Sequence, residues 1–464
     1  MRELATIDSG QLLASGIYPG LLADAAPLWT DGKNVVFENG GVRKVRGLLG
    51  LGNLSGTPTG LRSAIAAGER RCFVGVGDKA YGFRTGDGLT EIGSFASAGG
   101  IYQFLPWDTW CLISNGSDPV ELWQNAGTSA AITAPFNRAN VLFGYQLQAF
   151  VGGTDTGGTV VEWSPINNVT DWTQTLTGSA GQLRLRELES DIVAAKPLSG
   201  SVGIYSRSQG GFFTYTGSTN PYRFRNPIGG VGAISPYSIV SDGVKHYGIR
   251  PSGAFVTDLV GVAIIDQPAM RRYVEENVNW DRQAETYGWW DEANNLARWA
   301  LPALAGGFVS IGYRTDNGNW TRFEDDVLAG EASGPFDDMI VAKVGRLLRQ
   351  DKTSVNNDVS AMPAFVRTKP LDLGARNNLK RISKLSFKGE WSGDVNVKLG
   401  NSASPNGPVT WVSTFPLVND VYPDREGLPS EFHYLSIEIE STALNADWTL
   451  AGASIYGETF SFVD

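Results

Sequence analysis

From residue 61 onward the chain repeats one unit: four short β-prone runs joined by sharp turns, recurring roughly every 40 positions, the period of a propeller blade. In the first unit the runs fall at 61–66, 72–76, 80–83 and 89–92. Between them stand Gly68-Glu69, Gly77-Asp78 and Gly86-Asp87-Gly88, the residues that tight hairpin turns require. The third runs of six successive units centre near Gly82, Leu122, Glu162, Thr214, Phe255 and Ile311, in steps of 40, 40, 52, 41 and 56 residues. A seventh unit is shorter, with only 339–342 and 346–350 clear as strands. A sandwich also alternates short strands, but it does not repeat them in fours. The spacing therefore predicts an all-β chain built on a six- or seven-bladed β-propeller. Composition agrees, since 57 glycines and 14 Trp, 15 Tyr and 21 Phe supply turns and pleated strands.

Three segments lie outside the repeat. Runs at 34–37 and 42–45 flank Glu38-Asn39-Gly40-Gly41, a strong hairpin signal. A ring closes well when strands from both chain ends share a blade, because no edge is left exposed. The hairpin, with Val35, Phe37, Val42 and Val45 as its apolar residues, is thus the candidate that completes the last blade. Residues 267–277 start at a proline turn and then lack turn residues, which predicts a short helix inserted between blades, with Met270, Tyr273, Val274 and Val278 on one side. Beyond 353 the strands continue without the fourfold period, as expected of an added C-terminal β-sandwich-like domain. The expected layout is an N-terminal segment with the closing hairpin at 1–60, the propeller at 61–352 and the C-terminal β-domain at 353–464. In that last domain Arg376, Lys380, Arg381, Lys384 and Lys388 read as a solvated strand face.

Residues able to carry chemistry are sparse. The two histidines, His246 and His433, fall in different domains and read as structural; no His/Cys set has zinc-ligand spacing. Cys72 and Cys111 take equivalent second-strand positions in adjacent units and read as core. Phosphate-loop and nucleophile-elbow motifs are missing. The acid pairs Glu275-Glu276, Asp325-Asp326 and Asp337-Asp338 are poor acid–base couples as strand neighbours, because adjacent side chains point to opposite faces. The run 315–320 (TDNGNW) is similar to the Asp-box turn of sialidase propellers, but it is one residue short before the tryptophan and occurs once. A propeller glycosidase or a glycan-binding module remains the alternative, with Asp316 as its leading acid. The expectation is no enzyme, no catalytic, cofactor or metal site, and no cofactor.

The formal charge of −10 lacks the surplus of Lys and Arg needed to grip nucleic acid, though it suits a surface along which DNA slides. Two cysteines suit assembly in a reducing cytoplasm. No apolar run approaches the ~20 residues of a membrane helix, and 1–10 lacks a secretory pattern.

Several segments spread over most of the chain resemble the tail nozzle, or packaged-DNA-stabilisation, proteins of short-tailed bacteriophages. They are 29–37 (WTDGKNVVF) with 41–44 (GVRK), Glu162-Trp163-Ser164 leading to Asp171-Trp172, and 229–237 (GGVGAISPY). Trp290-Asp291-Glu292 leading to Trp299-Ala300-Leu301-Pro302, and Leu371-Asp372-Leu373-Gly374, complete the set. The resemblance implies a virion protein, assembled in the host cytoplasm, that sits below the portal and its adaptor. It implies a homo-oligomeric ring of six copies that retains packaged DNA and guides its ejection without reading sequence. Its partners would be the tail adaptor ring, a tail needle or plug, a tail fibre or tailspike, and the passing genomic DNA, with no membrane insertion.

Overall fold

The computed structural model describes residues 2–7, 28–38, 41–175, 178–218, 220–332, 335–351, 353–374, 378–418, 421–423 and 431–460. Among them, seven four-stranded antiparallel sheets follow one another as propeller blades. Blade 1 comprises Pro58–Ala66, Glu69–Val76, Lys79–Arg84 and Gly88–Ser94, and the next five repeat its meander. The first strands of successive blades touch in order, and that of blade 7, Ala329–Glu331, returns to Pro58–Ala66 of blade 1. That ring of contacts fixes the blade number at seven. All six third-run anchors lie on third strands of their blades.

Blade 7 takes Ala329–Glu331, Ile340–Lys343 and Arg346–Gln350 from one end of the propeller sequence and its outermost strand, Leu48–Asn53, from the other. This corrects the expected closure. The closing strand is Leu48–Asn53, paired Gln350↔Leu48 through Arg346↔Asn53, not the hairpin of Val35, Phe37, Val42 and Val45. The hairpin Val35–Glu38/Gly41–Lys44 instead pairs through Gly41–Lys44 with Asp447–Phe460 of the C-terminal domain. Physically, the hairpin is apolar on both faces. Val35, Phe37 and Val42 enter the C-terminal core, while Val36 and Val45 join a cluster under blades 6 and 7.

The C-terminal domain is a sandwich. One sheet runs in the order Val35–Glu38, Gly41–Lys44, Asp447–Phe460, Leu379–Ser392, Val421–Pro423, with Arg2–Ile7 also paired to Asp447–Phe460. The other runs Trp29–Lys33, Ala364–Thr368, Tyr434–Ser441, Val395–Ser402, Thr410–Pro416. Trp29, Phe37, Val366, Leu385, Leu399, Ile437 and Trp448 meet in a single core between them, as two apolar sheet faces must. The segment 1–60 is therefore no unit of its own: 2–7, 29–38 and 41–44 belong to the sandwich, and 48–53 and the strand from Pro58 to the propeller.

The helix Pro268–Asn277 lies between blades 5 and 6, starts with proline at its N-terminus and buries Ala269, Met270 and Val274. Tyr273, half-buried, and Val278 join the same cluster. No helix among the described residues is long and apolar enough to cross a membrane.

Candidate functional site: the propeller axis and its closure

The seven first strands surround the axis, and those of blades 1, 2, 4 and 7 carry polar side chains there. Arg62 of blade 1 forms a 2.8 Å ion pair with Glu331 of blade 7, and that carboxylate raises the Arg62 pKa further. From blade 2, Gln103 bonds the backbone of blade 3: its amide nitrogen donates to the Asn140 carbonyl, and its oxygen accepts from Leu142 N at 3.1 Å. Lys196 of blade 4 stands 4.9 Å over the Tyr237 ring. Burial pulls its pKa down to about 8, against the opposing pull of Glu331 and with the added repulsion of Arg62. Groups on blades 1, 4 and 7 thus feel one another across the axis.

One end of the axis is closed. Tyr237, just before the first strand of blade 5, stacks on Tyr287, the first residue of blade 6, with ring centroids 4.0 Å apart and planes at 19°. The Tyr237 hydroxyl donates to the Tyr102 carbonyl at 2.7 Å, reaching the start of blade 2. The Tyr287 hydroxyl both accepts from Leu61 N and donates to Leu61 O, each at 3.1 Å, on blade 1. Both rings are buried, and burial raises both phenol pKa values.

Local sequence sets Tyr237 there. Gly232 passes the Arg207 carbonyl so closely that a Cβ would lie 1.9 Å from its oxygen, so only glycine fits. Ser235 then donates to the Thr286 carbonyl at 2.5 Å, and Gly288 N donates to the Tyr237 carbonyl at 2.9 Å. The segment 229–237, singled out by resemblance, is the one that delivers the closing tyrosine. Charge or motif chemistry gave no signal for Lys196, Arg62 and Glu331, which only ring geometry brings together.

The hairpin residues sit at a different joint, the seam between sandwich and blade 6. Asn34 N donates to the Arg322 carbonyl at 3.0 Å, and the Thr321 hydroxyl donates to the Val35 carbonyl at 2.7 Å. Asn34 Oδ1 accepts from Glu324 N at 2.8 Å while its Nδ2 donates to the Pro363 carbonyl at 2.7 Å. Arg322 pairs with Asp31 at 3.0 Å. The outer edge of blade 6 is thereby covered rather than exposed.

The candidate acids other than Asp326 are held in ion pairs. Asp316 takes a two-pronged contact from Arg314 at 2.7 and 2.8 Å. In the same turn the Asn317 amide donates to the Phe37 carbonyl at 3.0 Å, and Trp320, fully buried, donates to the Ile265 carbonyl at 2.9 Å. Asp325 pairs with Arg298 at 2.9 Å, both 3% exposed, and the guanidinium lies 3.7 Å from the Phe323 ring centroid. Glu275 and Glu276 pair with Arg271 and Arg272 one helical turn away, Asp337 with Arg70 and Asp338 with Arg349.

His246 is buried between the Tyr205 hydroxyl, 2.5 Å from Nδ1, and the Pro197 carbonyl, 2.7 Å from Nε2. With Nε2 donating and Nδ1 accepting, both ring nitrogens are satisfied by a neutral ring, and burial lowers its pKa to about 4. His433 precedes a sandwich strand, and its carbonyl accepts from Lys380. Cys72 and Cys111 are free, buried thiols on the second strands of blades 1 and 2, and burial raises both. The basic run is not one solvated face: Lys380 is buried, Arg381 and Lys388 are exposed, and a bulge between Ile382 and Lys384 resets the alternation. Arg376 lies outside the described residues. No group of three or more His, Cys, Asp or Glu that could hold a metal occurs among the described residues.

No family model matches the chain, and no curated protein matches it. Solved structures do. BamB from Moraxella catarrhalis is 10% identical with a TM-score of 0.39, over 70% of this chain and 100% of that one. The N-terminal domain of Nup159 is 7% identical with a TM-score of 0.38, over 65% and 94%. PorZ, a surface component of the type-IX secretion system of Porphyromonas gingivalis, is 9% identical with a TM-score of 0.40, over 83% and 52%. The ring of seven four-stranded sheets itself makes the chain a seven-bladed β-propeller with an added sandwich.

Proposed function

We propose that this propeller is a structural component of a bacteriophage tail, the nozzle or hub below the portal and adaptor, and not an enzyme. In this reading a ring of six copies retains packaged DNA and forms the conduit for its ejection. The observation that carries it is the closed axis. Tyr237 and Tyr287 fill the propeller's own centre, so a conduit has to run between subunits, around which the propellers stand as walls. Two segments that carry the resemblance support it further. Residues 229–237 build the closure, and 29–37 weld the sandwich to blade 6, so both serve shape rather than catalysis.

Neighbouring copies, the adaptor ring and a needle, plug or fibre are the partners of this reading, and DNA passes without sequence-specific contacts. The formal charge of −10 suits a wall that does not hold DNA. Purified tails test the proposal: the chain should occur in them as a ring. Hydrolysis of a sialoside or polysaccharide that is lost in Asp316→Asn would replace it with the glycosidase reading.

A further inference from the structure

The chain covers two of its own blade edges. On blade 6 the strands Trp29–Lys33 and Val35–Glu38, joined at Asn34, lie along Trp320–Phe323, with Asp31 on Arg322 at 3.0 Å. On blade 7 the segment 354–357 runs beside Gly47 and Leu48, and the turn that follows sets Asp358 against the start of Leu48–Asn53. There Asp358 N donates to the Leu48 carbonyl at 2.9 Å, Gly50 N donates to the Asp358 carboxylate at 3.0 Å, and Arg346 pairs with Asp358 at 2.6 Å. Each cover carries an aspartate that meets an arginine of the covered blade.

Blade 3 has an arginine-bearing edge without a cover. Its outermost strand, Gly181–Arg184, pairs inward with Gly157–Trp163, and among the described residues no segment pairs with its outer edge. A groove of about 1450 Å³ runs along this strand and is walled on the far side by Tyr222–Phe224 of blade 4. Arg184, Arg186 and Arg223 line it, all exposed, and none has an ion-pair partner among the described residues. In a chain of net charge −10, three unpaired arginines against one carboxylate, the exposed Glu187, in one groove are a local reversal of sign. Tyr215, half exposed, adds an apolar platform at its rim.

We propose that this groove docks an extended acidic segment of a partner protein, which adds to Gly181–Arg184 as a fifth strand of blade 3. Backbone hydrogen bonds along the open edge supply affinity, and carboxylates facing Arg184, Arg186 and Arg223 supply register and choice of partner. The inference rests on the edge and its charges and stands apart from the tail assignment.

The test uses the full chain and three capped synthetic octapeptides that alternate valine with aspartate, serine or lysine. Hydrogen exchange read by mass spectrometry should show the aspartate peptide slowing the amides of 181–185. Arg184→Glu and Arg223→Glu should each weaken its binding about tenfold, a change typical of reversing one interfacial charge, with thermal melts unchanged. Arg138→Glu, at an exposed arginine outside the groove, should leave binding as it was. Equal binding of the serine peptide, or protection elsewhere, would overturn the proposal. So would a sulfated oligosaccharide that needs the same arginines while the aspartate peptide protects no strand, since the groove would then be a polyanion site.

Discussion

The Tyr237 hydroxyl donates to the Tyr102 carbonyl at 2.7 Å and so ties the start of blade 5 to the start of blade 2, as far apart as two blades can be in a ring of seven. A hydrogen bond this long-range in sequence is a strut across the ring. Tyr237→Phe leaves the Tyr102 carbonyl without that donor and should cost about 1–3 kcal/mol, the penalty of an unsatisfied buried group. Tyr237→Ala also empties the axis and should cost about 3–5 kcal/mol. Urea unfolding of the two variants beside wild type measures both, and equal stability of all three would show that the closure bears no load.

Leu48 and Leu49 are neighbours on the closing strand with opposite surroundings, 3% and 41% exposed. Leu48→Ala should destabilise the propeller by about 2–4 kcal/mol, while Leu49→Ala should fall within about 0.5 kcal/mol of wild type. The same unfolding measurement separates them. A reversed order would contradict the register Gln350↔Leu48.

Asn34 is the knot of the seam between the two domains. It is fully buried, adopts φ 53°, and both its backbone and its amide bond groups on blade 6 and at Pro363. The left-handed φ favours asparagine over most residues. Asn34→Ala loses the two side-chain bonds and should cost about 2–4 kcal/mol. Because the seam then weakens, differential scanning calorimetry should resolve separate propeller and sandwich transitions where the wild type unfolds in one.

His246 makes stability depend on acidity. Its folded pKa is lowered to about 4, whereas the unfolded chain takes up the proton near the ordinary 6.5. Between those values the unfolded state binds more protons, so stability is full above about pH 6.5 and is lost as pH falls towards 4. The loss attributable to this group reaches about 3 kcal/mol. His246→Gln should flatten the pH–stability curve by that amount in that window, and parallel curves for the two proteins would refute the assignment.

The sequence made the blades legible because their signal is local: a turn with glycine, an alternating strand, another turn. The third-strand anchors from Gly82 to Ile311 all landed on third strands for that reason. Short or remote fourth strands escaped it. Ala130–Ala131 is two exposed alanines, and Gly181–Arg184 follows Trp163 only after a long excursion. The closing strand was hidden for another reason. Leu48–Asn53 (LLGLGN) is rich in glycine and lacks a clean alternation, whereas Val35–Lys44 shows a strong hairpin pattern that the sandwich, not the propeller, uses. Local pattern reports that a strand exists and is silent on which sheet receives it. The axial residues were illegible for the same reason, since Lys196, Tyr237 and Glu331 become neighbours only when the ring closes.

The central claim is that the axis is closed and the function lies in a ring of such propellers. Native mass measurement of the chain, alone and with a head–tail adaptor of a short-tailed phage, tests this most directly. The account predicts a closed assembly at six times the chain mass, formed alone or on the adaptor. A strict monomer under both conditions would contradict it.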